Sequence, residues 1–269
     1  MFFKKDRFYI IFKNTLKKRN FEVGRKIADD VYEITSGNIS FNIDVCDARR
    51  DYEYSNNIST LENLLLQLEL DFTAKYKLVS FQNAQSCLRL LLMCEENIGE
   101  DCISTDFMNN VKKIVAFTTD NQNICPLSAT YIKKWGIPRD VLFAVADRNM
   151  CEILRKIDLY VSTIAGKIKV IEFPIENAKL RSALMLSSNF KKLISDKLGA
   201  RFLLIAPSSE SMLAVEDVTN NIIESFGPVV LDEYRKSVNK LFTEVLLFSP
   251  TGMSVAGKFQ LPNKVEVNS

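Results

Sequence analysis

The densest polar cluster of the sequence, DVCDARRDYEY, contains two aspartates that could ligate a cation. Asp44 and Asp47 lie three positions apart, and Arg49 and Arg50 follow them closely. Carboxylate oxygens are the ligands that Ca²⁺ and Mg²⁺ prefer, and a bound divalent cation would support a metal-dependent hydrolase or nuclease. The alternative interpretation is that these charges pair with one another at the end of a strand, without a metal ion.

Histidine is absent from the chain. Its absence excludes Ser-His and Cys-His nucleophile pairs, the HExxH metal site, and histidine as a general base near neutral pH. The glycines form neither GxGxxG nor GxxxxGKS/T, and the serine-rich segment APSSES at 206–211 lacks the GxSxG pattern. The sequence therefore predicts no catalytic residue and no cofactor, and an enzyme is the less favoured class.

Composition and charge are those of an ordinary globular protein. Of the 269 residues, 47% are hydrophobic and 25% are charged, and the formal net charge is +2. So small a net charge gives no reason to expect nucleic acid as a partner. No apolar run approaches the roughly 18 residues of a membrane-spanning helix. We expect no signal peptide at the start, MFFKKDRFYIIFKN, because charged residues interrupt its short apolar segment.

The six cysteines indicate a reducing compartment. None forms a CxxC motif, and their spacings match no metal-binding knuckle. Without a secretion signal, we expect free thiols and a cytoplasmic protein.

The N-terminal half combines predicted helices with one hairpin. Residues 1–19 predict a helix, because Phe8, Phe12 and Leu16 recur at a spacing of four. Alternating apolar residues predict a hairpin of strands at 31–35 and 39–45. Ser59 begins a capping-box pattern for a second helix, and the apolar segment 83–96 is interpreted as a third helix in the core. The polar segment 97–110 is the predicted boundary between two domains, 1–100 and 111–269.

The clearest pattern lies at 111–151. A buried strand is predicted at 114–117, followed by two helices that Gly136 and Pro138 separate. Further along we expect a helix that ends at Gly199 and another from about Pro228 to Leu241. The remaining predicted strands are 159–164, 167–173, 201–206, 212–215, 244–248 and 253–259.

A helix, a strand pair and another helix follow one another in both halves, which reflects either an internal duplication or only the frequency of such units. The predicted fold is α/β of the α+β type, with repeated helix–hairpin–helix units, mostly antiparallel sheets and two subdomains.

Three aromatic residues are candidate contacts for a protein partner: Phe8, Phe12 and Trp135, the only tryptophan. Aromatic side chains often anchor interfaces, and the alternative for Trp135 is a helix-end tryptophan that caps a core. The N-terminal helix is also basic, which makes it a candidate for binding an anionic membrane or an acidic partner, with a solvated basic face as the alternative. Its basic residues are Lys4, Lys5, Arg7, Lys13, Lys17, Lys18 and Arg19.

The central segment AFTTDNQNICPLSATYIKKWGIPRDVLFAVADRN resembles the YtpQ-like family of bacterial cytosolic proteins. In that family a strand with a polar turn likewise precedes a helix that closes in a Trp-Gly pair, and a second helix follows. The similarity extends more loosely to ISFNIDVCDARRDYE, KKLISDKLGARFLLIAPSSESMLAV and LLFSPTGMSVAG. The chain departs from the family in its cysteine content and in the lengths of its middle segments. The resemblance implies an α/β fold and a cytosolic setting, and it implies no activity, catalytic residue or cofactor.

These observations favour a non-enzymatic protein-binding module of the bacterial cytosol, of the chaperone-like, adaptor or immunity type. The expected partner is another protein. The alternative is the carboxylate- and metal-dependent hydrolase or nuclease that Asp44 and Asp47 would serve. A third hypothesis is membrane binding through the basic N-terminal helix.

Overall fold

The computed structural model describes residues 6–37, 39–119, 122–164, 166, 168–217 and 224–260. Their contacts divide the chain into two compact units. Unit 1 comprises Met1–Ala84 and Thr118–Asn123, and unit 2 comprises Gln85–Phe117 and Ile124–Ser269. This division differs from the predicted boundary at 97–110, because that segment contains a strand of a sheet in unit 2.

Unit 1 is built from a three-stranded antiparallel sheet and several helices. The sheet order is β1-β2-β3, so each strand pairs with its neighbour in the chain. The predicted hairpin forms strands β2 and β3, whereas β1 was not predicted. The elements are α1 (Arg7–Lys18), β1 (Glu22–Ala28), β2 (Val31–Ser36), β3 (Ile39–Asp44), α2 (Cys46–Ser55), α3 (Ser59–Phe72), a π-helical turn (Thr73–Lys77) and α4 (Phe81–Ala84).

The apolar stripe of α1 forms the centre of the unit 1 core. Phe8, Phe12 and Leu16 are at most 2% exposed, because a spacing of four places them on one helix face. They belong to one buried cluster with residues of the sheet and of α3, including Ile34 and Leu65. The helix predicted from this stripe is confirmed within the described residues.

Unit 2 contains two sheets. In the smaller sheet the order is β4-β6-β5, and β7 also pairs with β6. The larger sheet has six strands in the order β13-β12-β10-β11-β9-β8, and all its pairs are antiparallel. The elements are β4 (Leu88–Cys94), β5 (Ser104–Met108), β6 (Val111–Thr118), β7 (Ile124–Pro126), α5 (Thr130–Trp135), α6 (Arg139–Lys156), β8 (Val161–Ile164), β9 (Ile168–Glu172), α7 (Phe190–Leu198), β10 (Phe202–Ser208), β11 (Ser211–Glu216), α8 (Gly227–Lys236), β12 (Glu244–Ser249) and β13 (Gly252–Lys258).

The helix predicted at 83–96 is wrong, since most of that segment forms strand β4. Five of its seven residues are buried, and helix α6 packs against it. The sequence of a strand that is covered on both faces is apolar at nearly every position. Hydrophobic periodicity alone cannot distinguish such a sequence from that of a buried helix. Ser59 also departs from its prediction, because it begins α3 but makes no capping hydrogen bond to the helix backbone.

The other predicted elements from residue 111 onward are confirmed, with small differences at their ends. Gly136 lies in the left-handed region at φ +64 and ends α5, as its position predicted. Helix α8 ends at Lys236 rather than near Leu241, because Ser237 is extended. The protein is of the α+β class with several mostly antiparallel sheets, but the repeated helix–hairpin–helix unit is not confirmed.

Candidate functional site

The two aspartates proposed as metal ligands make local contacts instead. Asp44 ends β3, and its carboxylate accepts a hydrogen bond of 2.9 Å from the backbone N–H of Cys46 at the start of α2. Asp47 lies in the first turn of α2 and pairs with Arg50 at 3.2 Å, at a side-chain exposure of 83%. Among the described residues, no group of three or more Cys, Asp or Glu side chains is placed to hold a metal ion. The alternative of charges that pair with one another therefore describes Asp47 and Arg50, whereas Asp44 bonds to the backbone at the start of α2.

Two of the three aromatic candidates are core residues. Phe8 and Phe12 are 2% and 0% exposed, so neither ring is available to a partner in this structure. The interface interpretation of these two residues is therefore wrong. Their spacing of four places both rings on one helix face, and that face packs in the core of unit 1. Trp135 is half-buried at the end of α5, and its ring centroid lies 4.8 Å from that of Tyr131.

The basic helix α1 does not present an apolar face. Its buried stripe faces the core, and the exposed side carries basic residues that include Lys13, Lys17 and Lys18. A surface helix that binds a membrane must bury an apolar face in the lipid, and in α1 that face is already covered. Lys4 and Lys5 lie outside the described residues. No helix in the described ranges has the length and apolar character needed to cross a bilayer.

The best candidate for a binding site is the edge strand β8 of the six-stranded sheet in unit 2. It pairs with β9 on one side, with Val161 opposite Ile171 and Ile164 opposite Ile168. No strand within the described ranges pairs with its other side. An edge strand leaves backbone N–H and C=O groups on its free side that can pair with another extended chain.

The chemistry of this edge is unusual for an exposed strand. All four residues of β8 are exposed, and the two hydrophobic ones, Val161 and Ile164, remain 43% and 38% exposed. Proteins commonly protect free edges with charged side chains. The edge strands β1, β3 and β13 each contain a charged residue, whereas β8, with the sequence VSTI, contains none.

A buried apolar cluster continues up to this edge. Ile168 and Val170 of β9 belong to a cluster with residues of β10, β11 and β12. In an antiparallel pair, residues opposite each other share a face, so Ile164 extends the row that contains Ile168. An added strand with an apolar side chain opposite Ile164 would continue this buried face.

Tyr160 precedes β8 and is 68% exposed. The hydrogen bond between its hydroxyl group and the carboxylate of Asp158 raises the pKa of Tyr160. A neutral tyrosine combines apolar area with a polar group and is a common interface residue. Sequence reasoning predicted the hairpin of β8 and β9, but it did not identify β8 as an edge, because strand order depends on pairing with distant segments.

Comparisons with known proteins found no family model, no curated protein and no solved structure that matches this chain.

Proposed function

We propose that this chain is a protein-binding module that captures an extended segment of another protein on the free edge of β8. The single observation that carries this proposal is the exposed four-residue edge without any charged residue. In this mode of recognition, main-chain hydrogen bonds provide affinity, and alternate side chains provide specificity. The preferred segment would be uncharged and would place an apolar side chain beside Ile164.

The proposed setting is the bacterial cytosol. All six cysteines are free thiols, which supports a reducing compartment. Membership in the YtpQ-like family remains part of the proposal and rests on the segment around the Trp135-Gly136 pair. An adaptor, a chaperone-like protein or an immunity-type protein would each use such an edge.

A pull-down with matched variants tests the proposal. The tagged full chain, Ile164→Lys and the control Val229→Lys are compared in extract from the cells that make the protein. Val229 lies on α8 and is 71% exposed, so its substitution adds the same charge away from the edge. We expect one dominant partner with the wild-type and control proteins, and its loss with Ile164→Lys.

Two other results would contradict the proposal. Retention of the same partner by Ile164→Lys would show that another surface binds it. Retention of only the tagged chain's own untagged copy would show that the edge pairs two identical chains rather than a different protein.

The hydrolase or nuclease alternative has no specific observation in its favour, since Asp44 and Asp47 are engaged in local contacts.

A further inference from the structure

A cavity of about 120 Å³ lies within unit 2 beside strand β4. Four consecutive residues of β4 line it, from Leu91 to Cys94, so the cavity runs along the free edge of this strand. Leu92 and Leu241 are each 2% exposed and contribute apolar walls. An apolar cavity of about 150 Å³ is known to hold the six carbon atoms of benzene, so this one has room for an apolar body of about four or five carbon atoms.

Ser209 lines this cavity and carries a hydroxyl group without a partner. Its residue is 4% exposed, and its Oγ atom makes no hydrogen bond within the described part of the chain. The backbone around it is fixed: the N–H of Ser209 donates to the carbonyl oxygen of Asn239 at 3.0 Å, and its carbonyl oxygen accepts from the N–H of Ser182 at 3.0 Å. A buried hydroxyl group that lacks a hydrogen bond carries an energetic cost that a polar ligand atom would remove.

Cys94 contributes a second buried polar group. Its thiol lies 3.1 Å from the carbonyl oxygen of Lys240 and donates to it. Burial, together with the nearby charge of Glu96, raises the pKa of the Cys94 thiol. Only the thiolate is a strong nucleophile, so the protonated Cys94 forms part of the wall and does not attack a ligand.

Two lysines give the cavity its charge preference. Lys179 and Lys240 line it together with the amides of Asn97 and Asn239, and none of the described lining residues is acidic. Both lysines are exposed residues, whereas Leu92 and Leu241 are buried. A lysine side chain can lie along an apolar wall while its ammonium group stays in water. A ligand with one anionic group and a short apolar body matches this arrangement.

We propose that this cavity binds a short-chain monocarboxylate of about four or five carbon atoms, a size set by the cavity volume. The carboxylate group pairs with Lys240 and Lys179, and the hydrocarbon chain lies against Leu92 and Leu241. One carboxylate oxygen accepts a hydrogen bond from the hydroxyl group of Ser209. This site is independent of the β8 edge, and its occupation requires no covalent step.

Titration calorimetry of the full chain with pentanoate tests this proposal, with 1-pentanol and inorganic phosphate as the comparison ligands. We expect saturable binding of pentanoate and much weaker binding of the other two. Lys240→Met should raise the dissociation constant for pentanoate about tenfold, the order expected for loss of one charge-assisted hydrogen bond. Ser209→Ala should weaken binding by a smaller factor, because its hydroxyl group is neutral.

The control variant is Lys236→Met, which removes an exposed lysine of α8 outside the cavity and should leave the pentanoate affinity unchanged. Several results would overturn the proposal. An absence of pentanoate binding would exclude the site, and equal binding of 1-pentanol would exclude recognition of the carboxylate. Equal binding of phosphate, or an equal loss of affinity in Lys236→Met, would show a non-specific charge effect.

Discussion

Replacing Arg19 by methionine should destabilise unit 1 strongly, because it leaves a buried carboxylate without its cation. Arg19 Nη1 lies 2.9 Å from Glu69 Oε2, and Glu69 is only 3% exposed although it is charged. Asn123 also donates to Oε2, at 3.1 Å, while Oε1 has no hydrogen-bond partner among the described residues. Without Arg19, one neutral amide would be the only remaining donor that the structure shows for this carboxylate.

The expected size of the effect follows from this burial. Breaking a buried ion pair by removing one partner costs about 3–5 kcal/mol. The side chain of Arg19 is 20% exposed, so in the variant water can partly take the place of the guanidinium group beside Glu69. We therefore expect Arg19→Met to lower the free energy of unfolding by about 3 kcal/mol, at the low end of that range.

A double-mutant cycle separates the ion pair from other effects of the substitution. In the double variant Arg19→Met/Glu69→Leu no buried charge remains, and apolar replacements of buried pairs are often neutral. We expect its free energy of unfolding to lie within about 1 kcal/mol of wild type. Together with the single variants Arg19→Met and Glu69→Leu, this gives a coupling of at least about 2 kcal/mol. Arg25→Met is the matched control, because the Arg25–Glu33 pair is more exposed and should contribute less than about 1 kcal/mol.

Urea unfolding followed by far-ultraviolet circular dichroism measures these differences. Fluorescence of Trp135 is unsuitable, because the only tryptophan lies in unit 2. Hydrogen exchange of α3 provides a second measurement, since this helix carries Glu69. A wild-type stability for Arg19→Met, or a double variant as unstable as the single one, would refute the reasoning.

Two further predictions concern the core and the thiols. Phe12→Ala should lower the free energy of unfolding by about 3–5 kcal/mol. Ile10→Ala, on the exposed side of α1, should change it by less than about 0.5 kcal/mol. Equal urea midpoints for the two variants would show that Phe12 is not a core residue. Burial raises the pKa of Cys94, Cys102 and Cys125. The folded state therefore binds these protons more tightly than the unfolded state, and stability should decline as pH rises above the unfolded thiol pKa of about 8.5. Thermal unfolding at a series of pH values checks this, and a melting temperature that stays constant through that range would contradict it.

Local patterns predicted the elements whose residues need only one buried face. The stripe of Phe8, Phe12 and Leu16 predicted α1, and the left-handed position of Gly136 predicted the end of α5. Hairpins such as β12 and β13 were predicted for the same reason, since alternation and a turn are contained in one short segment.

Features that depend on distant partners could not be predicted in this way. The segment Leu88–Cys94 is a strand because β6 pairs with it along its whole length, and this partner lies about 20 residues away. The division of the chain follows such pairing too, because β5 pairs with β6 and draws the polar segment 97–110 into unit 2. Neither the free edge of β8 nor the cavity beside β4 can be predicted from one short stretch of sequence, because each is formed by segments that are distant in the chain.

Hydrogen exchange of the complex between the full chain and its captured partner tests the central claim most directly. An added strand would give the backbone N–H groups on the free side of β8 new hydrogen-bond acceptors. We predict that amides within Val161–Ile164 exchange more slowly in the complex than in the free chain, and that α8 exchanges at the same rate in both. Unchanged exchange in β8, with protection confined to other elements, would contradict recognition at this edge.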